Sequence, residues 1–229
     1  MTSPTLEPAD TDIAARLRND ILGADLPPAS RLRLMDLTDR YGAPAGKVRE
    51  ALLQLASEGL IAFEPKRGFA LLPISLRELE DVTKLRIDLE TRALRDAIAC
   101  GDDMWETHII SALHLLTKIE ARSLQDRRAL DPDWTRKHRQ FHRALLAACP
   151  SSWTLRFCET LSDHAERYRR FSIATRAYAR DIHAEHKAIA DAAIARQADK
   201  ACELLAAHYS ATAEAVAANK AAFAQRAGG

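Results

Sequence analysis

A sustained helical pattern over most of the chain is the feature that most constrains the fold. From Ser75 to Asn219, apolar residues recur at spacings of three and four, as in "LRELEDVTKLRIDLETRAL", without the alternation of a strand. The pattern breaks at "CGDD", at "SLQDRRALDPD", at "CPSS" and near "ARQAD". Ser75 and Glu78 form a Ser-x-x-Glu capping box that predicts the start of a long helix. Residues 77–220 are therefore predicted to form an all-α antiparallel bundle of about six helices.

Residues 11–73 follow a different pattern. Three short helices are predicted here: the first has Ile13, Leu17 and Ile21 on one stripe, the second covers "LMDLTDRYG", and the third covers "KVREALLQLASEG". "LIAF", the turn "EPKRG" and "FALLP" then predict two short strands around a charged tip. Three helices and a β-hairpin form a winged helix-turn-helix, in which one helix enters the DNA major groove. Residues 74–76 are then a linker, and residues 1–10 and 221–229 are expected to be flexible ends.

Basic residues of this first segment occur where a winged helix meets DNA. The whole chain has a net charge of only +1, so DNA binding would depend on individual contacts more than on bulk charge. The candidate DNA-binding residues precede the second helix, begin the third helix or form the wing tip: Arg33, Lys47, Arg49, Lys66, Arg67 and Gly68. The alternative is a small helical domain whose basic side chains are ordinary solvated charges, and the pattern alone leaves it open.

No segment of the sequence resembles a membrane or secretion signal. The first residues lack a basic region followed by an apolar run, and no window approaches the roughly 18 apolar residues of a membrane span. The four cysteines include no Cys-x-x-Cys pair, which is typical of free thiols in a reducing compartment. We therefore expect a cytoplasmic protein.

His138 and His142 stand four positions apart in "WTRKHRQFHRALLAAC". On a helix, side chains with this spacing share a face about 6 Å apart, so two imidazoles can hold one metal ion or can simply face solvent. Eight histidines in the chain give about 0.3 such pairs by chance. His186 and His208 belong to two later helices that a short turn around Ala198 would join. The remaining histidines are expected at the surface: His108, His114, His164 and His183.

The order and spacing of several segments resemble a known family. "LRNDILGADLPPASRLRLMDLTDRYG", "VREALLQLASEGLI" and "PKRGFALLP" are similar to the winged helix of the GntR family of bacterial transcription regulators. "LRIDLE", "FHRALLAAC", "EHKAIADAAIARQAD" and "AHYSA" resemble the FCD effector-binding domain of its FadR branch, in the six-helix, metal-binding form. The resemblance covers nearly the whole chain. It implies a homodimer that binds palindromic double-stranded operator DNA, and a small organic acid that alters this binding from the helical domain.

The resemblance also implies a metal site. Many members hold a metal with an Asp-x-x-x-His pair and two later histidines, and His142, His186 and His208 match those three histidines. His138 stands where the family usually has aspartate, which raises the net charge of the site by one unit and should favour an anionic effector. Imidazole ligands suit zinc, nickel or copper better than calcium or magnesium, and zinc or nickel is the expected divalent metal.

Arg86, in "LRIDLE", resembles the family position that faces the effector cavity. A guanidinium there can bind the carboxylate of an effector. The alternative is an ion pair with Glu90 at i+4 on the helix surface, and Glu90 itself is expected to be structural.

The recognition helix departs from the family pattern. "PAGK", at Pro44 to Lys47, replaces the usual Ser-Arg-Thr-Pro, so Ala45 stands where an arginine is common. Arg49 matches the later DNA-contacting arginine, and Lys47 can supply a replacement contact. Because an arginine bidentate to guanine contributes about 1–3 kcal/mol of discrimination, the operator sequence cannot be carried over from relatives.

These patterns predict a ligand-responsive transcription regulator and no enzymatic activity. Most relatives are repressors released by ligand, although the sequence itself does not choose the sign of regulation. A DNA-binding dimer with a metal-free or vestigial effector domain is the second interpretation. A helical metalloenzyme is the third, and it is disfavoured because the chain has no His-Asp dipeptide, no Glu-x-x-His pair and no HExxH motif.

Overall fold

The structure is a computed structural model of the 229-residue chain. It describes residues 12–22, 26, 30–73, 75–122, 132–173 and 180–218. The chain divides into two compact units, Met1–Pro73 and Ile74–Gly229, and each has its own hydrophobic core. The ends expected to be flexible, 1–10 and 221–229, lie outside the described residues, as does residue 74 of the expected linker.

The first unit combines three helices with a small sheet. In chain order its elements are α1 (Ile13–Leu22), β1 (Arg31–Leu32), α2 (Leu34–Tyr41), α3 (Ala45–Ser57), β2 (Ile61–Glu64) and β3 (Gly68–Leu71). The strands are antiparallel in the order β1-β3-β2, with Arg31 opposite Ala70 and Phe63 opposite Phe69. The predicted helices and hairpin are confirmed. Strand β1 was not predicted, because two residues are too few to show an alternating pattern.

Helix α3 packs against the core of this unit through one face. Val48, Leu52 and Leu55 are fully buried, as their spacing predicts, because positions i, i+4 and i+7 lie on one side of a helix. They belong to the same cluster as Leu17 and Ile21 of α1. The polar residues between them consequently remain on the outer face of α3.

The second unit is helical throughout its described residues. Its six helices are α4 (Leu76–Cys100), α5 (Asp103–Arg122), α6 (Pro132–Leu146), α7 (Ser152–Ile173), α8 (Ile182–Ile194) and α9 (Ala198–Ala217). The expected number of helices is confirmed, but the sequence suggested no helix boundary between "CPSS" and "ARQAD". The structure ends α7 at Ile173 and starts α8 at Ile182, where the Asp181 carboxylate accepts a hydrogen bond from Ala184 N at 3.0 Å.

Half of the predicted capping box forms at the start of α4. The Ser75 Oγ accepts a hydrogen bond from Glu78 N at 3.0 Å, which satisfies one of the free amides of the first turn. The Glu78 carboxylate does not return to the Ser75 amide. It accepts hydrogen bonds from Tyr168 and Arg167 of α7, and the Ser75 amide donates to the Tyr168 hydroxyl at 3.2 Å.

All six helices contribute to one continuous core, α7 through Cys158. Its largest fully buried side chains are Leu94, Ile109, Leu116, Phe141, Leu145, Ile189 and Leu205. Helices α8 and α9 pack together across a three-residue connection, where Arg196 adopts a positive φ of 59°. None of the helices in the described ranges is long and apolar enough to cross a membrane.

Candidate metal centre

Four histidines from three helices meet inside the helical unit. His138 and His142 lie one turn apart on α6, His186 lies on α8, and His208 lies on α9. His142, His186 and His208 are buried, with 6%, 0% and 5% of their surface exposed. His138 is half-buried. All four positions singled out in the sequence are therefore brought together.

The geometry of the cluster is close to that of a metal site. One ring nitrogen of each histidine lies within 4.8 Å of those of the other three. The Nε2 atoms of His138 and His142 are 3.2 Å apart, and the ring centroids of His186 and His208 are 4.9 Å apart. Because Zn–N bonds are about 2.0–2.1 Å long and four-coordinate zinc is tetrahedral, ligand nitrogens around one ion are roughly 3.4 Å apart. The pair of His138 and His142 already has about this spacing, and the most widely separated nitrogens would have to approach by about 1.4 Å for all four to bind one ion.

Burial keeps these imidazoles in the form that binds metals. It lowers the pKa of His138 and of His142 well below the usual value, and the neighbouring histidines and arginines lower it further. Burial also lowers the pKa of His208 to about 4, against the opposing effect of its hydrogen bond to Glu185. These rings are therefore neutral near pH 7, with a lone pair available for a ligand bond.

His186 has the environment of a metal ligand. The residue is fully buried, yet neither of its ring nitrogens has a hydrogen-bond partner. The closest carboxylate atom, Glu120 Oε1, lies 3.7 Å from Nδ1, which is longer than a hydrogen bond. Buried polar atoms are almost always satisfied in proteins, so an ion at Nε2 would remove an otherwise costly arrangement.

Hydrogen bonds at Nδ1 orient two of the other rings. His208 Nδ1 lies 2.8 Å from Glu185 Oε2, and His142 Nδ1 lies 3.1 Å from the Tyr209 hydroxyl. Tyr209 donates its own proton to Glu90 Oε2 at 2.5 Å, so His142 must be the donor to Tyr209. When Nδ1 donates outward, Nε2 keeps its lone pair for a metal.

Glu185 remains a carboxylate near pH 7. Burial acts to raise its pKa, but hydrogen bonds from His208 and Arg180 outweigh this and lower the pKa to about 2. Glu185, the hydrogen-bond acceptor of His208, is thus negatively charged in the folded protein near neutral pH.

Arg86 lies next to this cluster. Its Nε donates to Glu90 Oε1 at 2.7 Å, and its guanidinium carbon lies 4.0 Å from the centroid of the Tyr209 ring. The ion pair with Glu90 that the sequence allowed is present, but it is not a surface pair, since the two side chains are only 13% and 3% exposed. Glu90, expected to be merely structural, connects α4 through Tyr209 to His142.

Sequence reasoning missed several residues around the histidines. Trp134 stacks on His138 with a centroid distance of 4.5 Å and an interplanar angle of 18°, and Arg169 lies 4.5 Å above the same indole. The position of Trp134, four residues before His138, was an available signal. Glu120, Glu185 and Tyr209 come from other helices, so their contacts are tertiary and no spacing within one helix reveals them.

The four histidines expected at the surface have different environments. His108 and His114 are exposed. His183 is 41% exposed, with Nδ1 3.1 Å from Glu120 Oε2. His164 does not fit the expectation, because its side chain is only 15% exposed and its Nδ1 lies 3.8 Å from Glu78 Oε1. It lies on α7 and faces Glu78 of α4, and the packing of these two helices removes it from solvent.

The candidate DNA-binding side chains are all exposed within the first unit. Arg33 precedes α2, Lys47 and Arg49 lie in the first turns of α3, and Lys66 and Arg67 form the tip between β2 and β3. The tip turns through positive φ values of 73° at Lys66 and 84° at Gly68, and the glycine meets this requirement without strain.

Comparison with known families matches both parts of the chain. Residues 9–71 match the bacterial regulatory proteins of the gntR family, and residues 81–211 match the FCD domain. The HTH-type transcriptional regulator BphR of Paraburkholderia xenovorans (strain LB400) is 41% identical over 193 residues, which cover 84% of this chain and 79% of BphR. The HTH-type transcriptional repressor GlaR of Escherichia coli (strain K12) is 35% identical over 196 residues, covering 84% of this chain and 88% of GlaR.

Solved structures share the fold at lower identity. Escherichia coli McbR/YncC has a TM-score of 0.73 at 19% identity, covering 93% of this chain and 96% of that one. A GntR transcriptional regulator from Rhodococcus sp. RHA1 has a TM-score of 0.73 at 20% identity, covering 91% of this chain and 97% of that one. These relatives and structural neighbours are transcriptional regulators, not enzymes.

Proposed function

Because the chain belongs to the GntR family of DNA-binding transcription regulators and carries an FCD domain, we propose that a divalent metal and a small carboxylate in its helical unit control its binding to DNA. The observation that carries this proposal is the convergence of four histidine nitrogens within 4.8 Å. The two buried nitrogens of His186 without partners support it.

The metal would be held by His138, His142, His186 and His208. An all-nitrogen set favours zinc or nickel over magnesium or calcium, which prefer oxygen ligands. Four neutral imidazoles leave both positive charges of the ion uncompensated by its direct ligands, and this favours an anion at any remaining coordination position. The bound ion would supply that Lewis-acidic position, while the chain supplies the surrounding charges.

The effector would be a small organic acid whose carboxylate binds beside the histidine cluster. Arg86 is the candidate partner for that carboxylate, since it lies against Tyr209, which itself contacts His142. Its bond to Glu90 also holds it in place before a ligand arrives. Such an effector changes operator affinity only by its preference for one of two arrangements, typically about 1–3 kcal/mol.

DNA binding would use the exposed basic residues of the first unit. Arg49 and Lys47 would face the bases or phosphates of the major groove, Arg33 the backbone, and Lys66 and Arg67 with Gly68 would form the contact made by the wing. We propose a homodimer on a palindromic operator, with repression as the sign of regulation. The name of GlaR, a transcriptional repressor, supports that sign.

Elemental analysis tests the metal. The protein, purified without a His-tag, should contain about one zinc or nickel ion per chain. His142→Ala combined with His186→Ala should abolish this content, whereas His108→Ala with His114→Ala, both exposed, should retain it. Retention of the ion by the first double variant would refute the ligand set.

A gel-shift titration tests the regulator. Duplex DNA from upstream of its own gene should give a specific band at nanomolar to micromolar protein, and members of an organic-acid panel should shift the midpoint about 5–150-fold. A specific band without any response to metal removal or acids would support the dimer with a vestigial effector domain.

A further inference from the structure

The carboxylates behind the histidine cluster differ in how their charge is balanced. Glu90 pairs with Arg86 and Glu185 pairs with Arg180. Glu120, on α5, is only 7% exposed. Among the side chains that the structure describes, its polar partners are two imidazoles and an indole. A buried carboxylate requires compensating positive charge or several strong hydrogen bonds.

The two oxygens of Glu120 face different partners. Oε1 accepts a hydrogen bond from Trp134 Nε1 at 3.3 Å and faces His186 Nδ1 at 3.7 Å. Oε2 lies 3.1 Å from His183 Nδ1. Oε1 therefore faces one candidate metal ligand, His186, and also accepts the hydrogen bond of the Trp134 indole. A second candidate ligand, His138, is stacked on that indole.

We infer that Glu120 is the positioning residue of the metal centre, fixing His186 directly and His138 through Trp134. This inference rests on the proposed function, since it concerns the same histidines. A metal ion at His186 Nε2 would withdraw electron density from the ring and make Nδ1–H a stronger donor, for which Glu120 is the adjacent acceptor. The 3.7 Å separation of Nδ1 and Glu120 Oε1 would then shorten to a hydrogen bond, and the partly positive imidazole would add to the positive charge around Glu120.

The electrostatics of Glu120 agree with this role. Burial acts to raise its pKa, but the imidazoles of His186 and His183 and the indole N–H of Trp134 outweigh burial and lower it. The group is therefore a carboxylate near neutral pH and can accept a proton-bearing nitrogen on each oxygen.

Zinc titration of the full-length protein in competition with a chelator tests the inference. Glu120→Gln keeps the shape of the side chain and removes its charge, and we expect zinc affinity to fall about 10–100-fold with binding still near one ion per chain. Glu106→Gln is the matched control, because Glu106 lies on the same helix and pairs with Arg196 away from the histidines. Its zinc affinity should stay within about threefold of the wild type.

A second measurement uses the wild-type protein, so it does not depend on how well a variant folds. Long-range ¹H–¹⁵N spectra of histidine-labelled, zinc-loaded protein should show His186 protonated at Nδ1 and bound to metal through Nε2. A His186 that binds through Nδ1 would overturn the inference.

The outcomes of the zinc titration distinguish a failure of the role of Glu120 from a failure of the proposed metal centre. Wild-type zinc binding with an unchanged affinity in Glu120→Gln would overturn the role of Glu120 alone. Failure of the wild type to bind zinc or nickel would overturn the metal centre and, with it, the role of Glu120.

Discussion

The charged side chains of the two candidate sites, one in each unit of the molecule, lie in opposite environments. In the winged-helix unit the basic candidate DNA-binding residues are exposed, and the Arg67–Glu64 pair at the wing tip is 75% and 54% exposed. In the helical unit the Arg86–Glu90 pair is 13% and 3% exposed. Charges that meet a polyanion stay hydrated until contact, whereas charges that build an internal site must be paired when the chain folds. The same residue type should therefore affect binding in one unit and stability in the other.

The largest effect is expected at Arg86. Arg86→Ala leaves Glu90 buried without its cation, which should lower the free energy of unfolding of the helical unit by about 3–5 kcal/mol. Urea denaturation followed by near-ultraviolet circular dichroism measures it selectively, because all three tryptophans, Trp105, Trp134 and Trp153, lie in this unit. Arg92→Ala, exposed on the same helix, is the control. A loss below about 1 kcal/mol would show that the buried pair is not required.

A pH titration of the metal-free protein should show the next largest effect. The pKa of His208 is near 4 in the folded protein and about 6.5 in an unfolded chain. Between these values the unfolded state binds more protons, so stability must fall as the pH is lowered from about 6.5 to about 4. His208 alone should contribute a loss of about 3 kcal/mol. A His208→Gln variant should flatten that part of the profile, and an identical profile would contradict the assignment.

Arg49→Ala should have the opposite phenotype to Arg86→Ala. Unfolding should be unchanged because the side chain is exposed, while operator affinity should fall about 10–100-fold, equivalent to roughly 1–3 kcal/mol. Fluorescence anisotropy with labelled operator and with unrelated DNA measures both affinities. An equal loss on the two DNAs would assign Arg49 to a phosphate instead of a base.

The smallest effect is expected at the wing tip. Arg67→Ala removes an exposed ion pair with Glu64, so stability should change by less than about 0.5 kcal/mol. If Arg67 contacts a phosphate, the dependence of log affinity on log salt should become shallower by about 1. A change of more than about 1 kcal/mol in the free energy of unfolding is what a buried hydrogen bond contributes. Such a change would contradict the expectation that exposed charges of the first unit affect binding and not stability.

The fold was largely predictable because its periodic elements are long enough to show a period. Val48, Leu52 and Leu55 identified the buried face of α3 from spacing alone, and the alternation on either side of "EPKRG" identified the hairpin. Arg31 and Leu32 form too short a strand to show a pattern. The start of α8 was missed because its only marker in the sequence is the N-cap residue Asp181, and an N-cap residue alone is a weak signal for the start of a helix.

The candidate site was predictable only in part. His138 and His142 follow from helical spacing, and His186 and His208 follow from the resemblance to the family. The groups behind them, Glu120 above all, come from helices that are remote in sequence. Their roles depend on how α5, α8 and α9 pack around α6, and no local pattern in the chain records that packing.

If the proposed ion is bound, the stacking of Trp134 on His138 would make the fluorescence of this indole report which metal it is. Zinc has a filled d shell and should leave the emission of this indole nearly unchanged. Nickel has unpaired d electrons and should quench it at this short range. The two expected metals would then be told apart by the intrinsic light emission of the unlabelled protein, without removing the ion.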